Sequence, residues 1–448
     1  MHAATLGRIA LALVTCLVAA VWLPLGLDAL LDLRCVRSIA LFSPVAGQFL
    51  FREYLSPGQE AALPAAEAGL AEHGLMHRDA SGKALSRTEF ENALPFQYAE
   101  SLRVRGLLPV TIQGRAFDAE ALRQGRLILG IRPADVAGAR PAPGLYALLD
   151  SRPDRVNLVF PEDRFRLAGR LEFLNANHNA PDPALTETVN AALAAAGFVF
   201  PATAAYGRDT LLKPFDAGWF LTDADGGLYQ LRRVRDLPQV ARVALPPGEG
   251  VAHVQVQEAA GGAALGLVVG TSGTVYLLGG NLGLRELPCR GYDPARHWLK
   301  AVIDPFGDAC IVDDAAAIAA AYRPAGGGPE IRAARAVPSA ASGPGAMVSW
   351  LLCPLRLTLT PETSAYVAPT LAVGGLWSAL GAGLWAAVAG AFAWRRGGAA
   401  AAPLAAACGA ASGLCGLAML FWTPHRPCPS SLHDTPVACP AAVGSPNG

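Results

Sequence analysis

The sequence predicts an α+β chain: a β-rich exported domain of propeller-like antiparallel sheets with a few helices, held by three transmembrane helices. Three observations carry this. Two long uncharged segments, residues 363–394 and 397–422, flank the pair Arg395-Arg396, and a third apolar stretch lies near the N-terminus. From Leu145 onward apolar residues alternate with a period of two, as half-buried strands do. A strand-turn-strand plan then recurs every ~40 to 50 residues, the interval of propeller blades.

Crossing a bilayer core takes ~20 apolar residues in a helix. The run from Val367 to Trp394 exceeds that without a charge. Gly374, Gly375, Gly381 and Gly383 are small-residue notches where a second helix can approach. The run from Gly397 to Trp422 is mostly Ala and Gly, with Pro403 near its start. Trp394, Phe421 and Trp422 stand at segment ends, where interfacial aromatics belong. Short loops rich in Arg stay cytoplasmic, so the first run points inward and the second returns. The alternative is a buried hairpin in a soluble core, where two such lengths side by side are rare. Near the start, Arg8 precedes the uncharged run Ile9 to Leu27, and Asp28 ends it. Its length favours an uncleaved anchor over a signal peptide with a short apolar core. The layout is then an anchor at 1–27, a mixed α/β exported region at 28–144 and a β-rich propeller-like domain at 145–335. A linker and membrane approach at 336–366, a helical hairpin at 367–422 and a disordered outside tail at 423–448 complete it.

The chain has 448 residues, a high hydrophobic content and a net charge of zero, which excludes a basic field suited to nucleic acid. Lysine occurs only at Lys83, Lys213 and Lys300. Of the nine cysteines, Cys16, Cys408 and Cys415 fall in spans. Cys35, Cys289, Cys310, Cys353, Cys428 and Cys439 fall outside, where oxidation is possible, and spacing alone does not fix their pairing.

Local signals mark the elements in order. Residues 38–42 and 48–51 read as short strands around the Ser43-Pro44 turn. Residues 58–74 read as helix interrupted at Pro64. Ser86 and Glu89 form a capping box for a helix carrying Phe90 and Leu94, disturbed at Pro95 and resuming to Gly106. Residues 118–124 form another short helix. Strands are expected at 145–149, at Val156, Leu158 and Phe160, at Phe165 and Leu167, and at Leu171 and Phe173. Asp182 then caps a helix with Pro183 in its first turn, Leu185, Val189 and Leu193 on one face, and Gly197 at its end. The repeated hairpins are 219–231, 265–278 and a degraded copy at 301–314, a plain meander being the alternative to a propeller. Residues 324–345 read as a linker.

Candidate chemistry is sparse. His73 and His77, with Glu72 and Asp79 near, have metal-ligand spacing on one helix turn, but Gly74 interrupts them and the zinc-protease glutamate is missing. Asp223, Asp225 and Gly226 resemble the start of a calcium loop, yet Gly227, Tyr229 and Leu231 replace the later ligands, so a hairpin turn is favoured. His425, Cys428, His433 and Cys439 are irregularly spaced for a zinc finger. The run Gly270-Thr271-Ser272-Gly273 lacks the nucleophile-elbow spacing. Asn175, Asn177, His178 and Asn179 suit a loop that bonds its own backbone. The sequence therefore assigns no catalytic, cofactor-binding or metal-binding residue.

Three stretches carry a family resemblance: residues 41–45, residues 85–91 leading to Leu94-Pro95-Phe96, and residues 213–220 with Asp225-Gly226. They resemble a family of uncharacterised bacterial membrane-anchored proteins known only as a domain of unknown function. Its members tend to be encoded beside ABC transporter ATPases and permeases. The resemblance implies a non-catalytic accessory protein of the bacterial inner membrane, its main domain periplasmic and its partners the lipid bilayer and ABC transporter permease or ATPase subunits. The alternative is a periplasmic ligand-binding sensor or enzyme with its site in a sheet cleft. Asp304, Asp308, Asp313 and Asp314 gathered in one cleft would favour that alternative.

Overall fold

A computed structural model describes residues 3–31, 37–136, 138–141, 144–152, 158–259, 262–314, 317–336, 344–359, 363–397 and 402–413. The chain divides into two compact units: a helical one (residues 1–31, 344–357 and 371–448) and a strand-rich one (residues 32–343 and 358–370).

The strand-rich unit is built mainly from five sheets, antiparallel but for one short strand, beside a separate two-stranded hairpin of Val110–Ile112 and Arg115–Phe117. Sheet I comprises Arg37–Ser43, Gln48–Tyr54, Leu75–Arg78 and Ala84–Leu85. Sheet II comprises Asp163–Leu167, Leu171–Asn175 and Ala180–Pro181. Sheet III comprises Ala204–Tyr206, Trp219–Thr222, Leu228–Val234 and Leu237–Val243, with Asp150–Ser151 running parallel beside the third strand. Sheet IV comprises Val251–Val256, Ala264–Gly270, Val275–Gly279 and Leu284–Glu286. Sheet V comprises Trp298–Asp304, Gly307–Asp313, Ala317–Pro324 and Ile331–Ala336, with Leu127–Ile131 added at its first edge. The three repeated hairpins are the strand pairs 219–222 with 228–231, 264–269 with 275–279, and 298–304 with 307–313, one each in sheets III, IV and V.

Alternation along each strand supplies two faces, and successive sheets bury them against one another. Phe165 and Phe173 of sheet II meet Trp219, Leu221 and Tyr229 of sheet III. The opposite face of sheet III, with Phe220, Leu228 and Val243, meets Val254, Val268 and Leu278 of sheet IV. Leu267, Val269 and Val275 of sheet IV meet Leu299, Ala301 and Val312 of sheet V. Val302, Ile311 and Tyr322 of sheet V meet Ala40, Phe42 and Phe51 of sheet I, with Phe42 stacked on Tyr322 at 3.5 Å. Being covered on both sides, the strand Ala264–Gly270 is buried at every position.

The stack is open, and this corrects the propeller expectation. Among the described residues no hydrophobic cluster joins sheets I and II. The far face of sheet I, with Leu41 and Leu50, is instead covered by Phe90 and Leu94 of the helical segment after Ser86. A face sealed by a helix has no apolar surface left for a further sheet.

Most local signals stand where expected. Ser86 and Glu89 make the reciprocal capping box of helix Arg87–Ala93, and Asp182 caps Pro183–Ala195 through Leu185 N at 3.0 Å. Pro64 separates two short helices, Pro57–Ala61 and Ala65–Ala68. The expected linker at 324–345 is different: Ile331–Ala336 is an edge strand of sheet V, its alternation hidden by small residues. Residues 145–149 are not a strand, although Tyr146 exchanges backbone hydrogen bonds with Phe165 at 2.8 Å. Leu158 and Phe160 lie in irregular chain, and Val156 falls outside the described residues.

The helical unit holds helices Ala3–Leu30, Pro344–Leu352, Gly375–Gly397 and Ala402–Ser412. Among the described residues one helix, Gly375–Arg395, is long and apolar enough to cross a membrane, where three were expected. In the first helix the qualifying apolar stretch, Ala20–Leu30, is shorter, and only 11 residues of the last are described. The expected start at Val367 also moves, because Thr370–Val373 is extended and the chain enters the helix through Gly375 at φ +62°. Helix Pro344–Leu352 lies within the expected linker at 336–366.

Two of the expected notches are real close approaches. A Cβ at Gly381 would lie 2.6 Å from the Leu351 carbonyl oxygen, and one at Gly374 would strike the Trp350 ring. At Gly383 nothing lies within 4 Å. Asp28 accepts from Ser349 Oγ and Arg356 Nη1, both at 2.9 Å, and Arg356 lies 4.0 Å over the Trp350 ring. Leu376, Leu380, Leu384 and Val388 form an exposed apolar stripe at helical spacing along the long helix.

Candidate functional site

The sequence-selected groups disperse. His73 and His77 do not share a helix turn: His73 sits at φ 54° in a tight turn with Gly74, and His77 lies on the strand Leu75–Arg78 of sheet I. Among the described residues no three His, Cys, Asp or Glu converge as a metal site. Asp223 spends its carboxylate on its own hairpin, accepting from Asp225 N at 3.1 Å and Gly227 N at 2.6 Å. Asn175 Oδ1 accepts from the backbone of Asn177 and His178, both at 3.0 Å. Glu249 ties down the Thr271-Ser272 turn. The four aspartates do not share a cleft. Asp304 accepts from Phe306 N and Gly307 N at one end of a hairpin, where Asp308 pairs with Arg285. Asp313 and Asp314 stand at the other end, opposite Trp298, about 16 Å away at ~3.3 Å per residue. His425, Cys428, His433 and Cys439 fall outside the described residues.

What the fold does assemble is a cavity of about 220 Å³ between sheet I and the helical segment after Ser86. Its lining includes Arg52, Glu72, His73, His77, Arg87, Glu91 and Tyr98. Alternation explains the placement of Arg52. Phe49 and Phe51 face sheet V, so Leu50 and Arg52 face the helix. His77 is the cross-strand partner of Arg52.

Aromatic rings hold both groups. The His77 ring lies 4.2 Å from that of Phe90. The Arg52 guanidinium lies 5.8 Å from the Phe90 centroid and 5.6 Å from that of Tyr98, cation–π distances. His77 is 3% exposed; its Nδ1 and the buried Arg52 Nε have no hydrogen-bond partner. Burial, reinforced by the Arg52 charge, holds the imidazole below its ordinary range. Glu91 is committed: it accepts from Ser101 Oγ at 2.5 Å and Arg87 Nε at 2.8 Å, with Arg105 at 3.3 Å. Burial opposes its charge, yet these donors outweigh it and keep the carboxyl below the usual range. Glu72, at the rim, meets Arg87 at 3.4 Å.

A second polar cluster is closed. Lys213 Nζ donates to Asp216 Oδ1 at 2.5 Å, Glu258 Oε1 at 2.9 Å and the Arg208 carbonyl at 3.2 Å. All three charged side chains are at most 2% exposed. Ala217 N also donates to Glu258 Oε1 at 2.9 Å, so the cluster fastens the 207–218 loop to the connection between the first two strands of sheet IV. Burial pushes the Glu258 carboxyl up.

A model of the family described as a domain of unknown function (DUF4857) matches residues 39–321. The chain belongs to the DUF4857 family. No curated protein and no solved structure matches it. The DUF4857 region begins in the first strand of sheet I and ends in the third of sheet V. It therefore takes in the cavity and the Lys213 cluster.

The sequence reading missed Arg52, Arg87, Glu91 and Tyr98. One signal was available for Arg52: an arginine at the inward position of a strand that otherwise reads Phe-Leu-Phe.

Proposed function

We propose that this DUF4857 protein is a non-catalytic accessory protein anchored in the bacterial inner membrane, its sheet stack on the periplasmic side and its partner an ABC-type transport system. The observation that carries the exported placement is the disulfide Cys289–Cys310. It is buried and links the chain leaving sheet IV to the second strand of sheet V. Such bridges persist in oxidising compartments and are rare in the cytosol.

Two further features support the anchor. The exposed apolar stripe of Gly375–Arg395 suits a lipid environment better than water. Arg395-Arg396 at its end favours a cytoplasmic C-terminal side, which leaves its N-terminal side outside. The transport partner rests on the resemblance alone, through the genes beside which such proteins are encoded. Purification of the full chain in mild detergent should recover a permease or ATPase subunit by mass spectrometry. A preparation containing no transport subunit would overturn that assignment.

The cavity beside sheet I favours a second reading, in which the exported domain senses a ligand.

A further inference from the structure

We propose that the cavity beside sheet I is a binding site for a small anion presenting carboxylate or phosphate oxygens, with Arg52 and His77 as its recognition pair. The site stands whether or not the chain partners a transporter.

The first argument is polar satisfaction. Buried polar groups are nearly always hydrogen-bonded, and leaving one unpaired is costly. Here two buried nitrogens, Arg52 Nε and His77 Nδ1, lack partners on cross-strand neighbours that line one cavity. An oxyanion supplies what both lack. Arg52 brings a planar donor fork matched to carboxylate and phosphate geometry, and a neutral imidazole donates through one ring nitrogen.

The second argument is charge. Arg52 makes no ion pair among the described residues, and its guanidinium rests on two aromatic rings. Of the two carboxylates in the cavity, Glu91 is saturated by Ser101, Arg87 and Arg105. Glu72 is about half exposed at the rim, and its repulsion is screened there.

Size sets the ligand class. About 220 Å³ lies below the ~300 Å³ at which pockets for drug-sized ligands begin, so phosphate or a short carboxylate fits and a nucleotide does not. A second depression, beside Arg290 and Arg332, is lined chiefly by alanines, and neither arginine leaves a buried nitrogen unpaired.

Isothermal titration of the full chain in detergent, with inorganic phosphate in one arm and succinate in another, tests this. Saturable heat with Kd below about 1 mM is expected in at least one arm, and the arm that binds identifies the oxyanion. Arg52→Gln should weaken that binding about tenfold or more, as loss of a charged hydrogen bond requires. Should Arg52→Gln fail to fold, His77→Gln takes its place with a loss in the same direction. No saturable heat in either arm overturns the site. So does wild-type affinity in a folded variant.

Discussion

Lys213→Met is expected to destabilise the sheet domain by about 3–5 kcal/mol, the range for removing one partner of a buried ion cluster. Lys213 is the cation that Asp216 and Glu258 share, and neither carboxylate reaches water. Methionine fills similar volume without charge, so Asp216 loses its cation and Glu258 keeps only Arg208, at 3.5 Å. The uncompensated Asp216 charge then favours lifting of the 207–218 loop. The loss should appear as a lower urea midpoint in equilibrium unfolding followed by tryptophan fluorescence. Trp219 reports on it directly, being buried two residues beyond Ala217, whose backbone N–H Glu258 holds. Glu258→Gln should cost less, because burial already disfavours that charge. Combining the two should cost less than the sum of the singles, since the sites share one network. A Lys213→Met protein with the wild-type midpoint would show that the cluster does not fasten the loop.

Loss of the Cys289–Cys310 bridge ranks second, at about 3 kcal/mol by the chain-entropy relation for a loop of its length, with a sequence separation of 21. The bridge closes a loop that runs from the turn-rich chain after sheet IV through the first strand of sheet V into its second, and its loss frees that loop in the unfolded ensemble. Cys289→Ser and reduction of the wild type should lower the urea midpoint by similar amounts, and reductant should then have no further effect on the variant. A wild-type midpoint indifferent to reductant would contradict the bridge.

The sequence makes some of this architecture legible because the signals are local. The Ser86/Glu89 box, the Asp182-Pro183 start and the hairpins of sheets III to V each depend on residues within a few positions of one another. What it hides depends on which faces meet. Closure into a ring hinged on the far face of sheet I, and Phe90 with Leu94 covers that face through contacts some 40 residues away in sequence from Leu50. The pairing of Cys289 with Cys310 follows from the stacking of sheets IV and V, which no spacing rule contains. Ile331–Ala336 reads as linker because alanine and arginine carry little strand propensity, yet the free edge of sheet V supplies its hydrogen bonds. The cavity was half legible. His73 and His77 drew notice for metal spacing, and the fold uses His77 with an arginine 25 positions upstream, on the neighbouring strand.

The proposed placement of the sheet stack outside the membrane is tested most directly by fusing, after Arg396, a fluorescent reporter that matures only in the cytoplasm. Fluorescence at the membrane is the result this topology requires. A dark fusion, made in full and digested by protease added outside the inner membrane, would put the arginine pair on the wrong side and contradict the exported, oxidised domain.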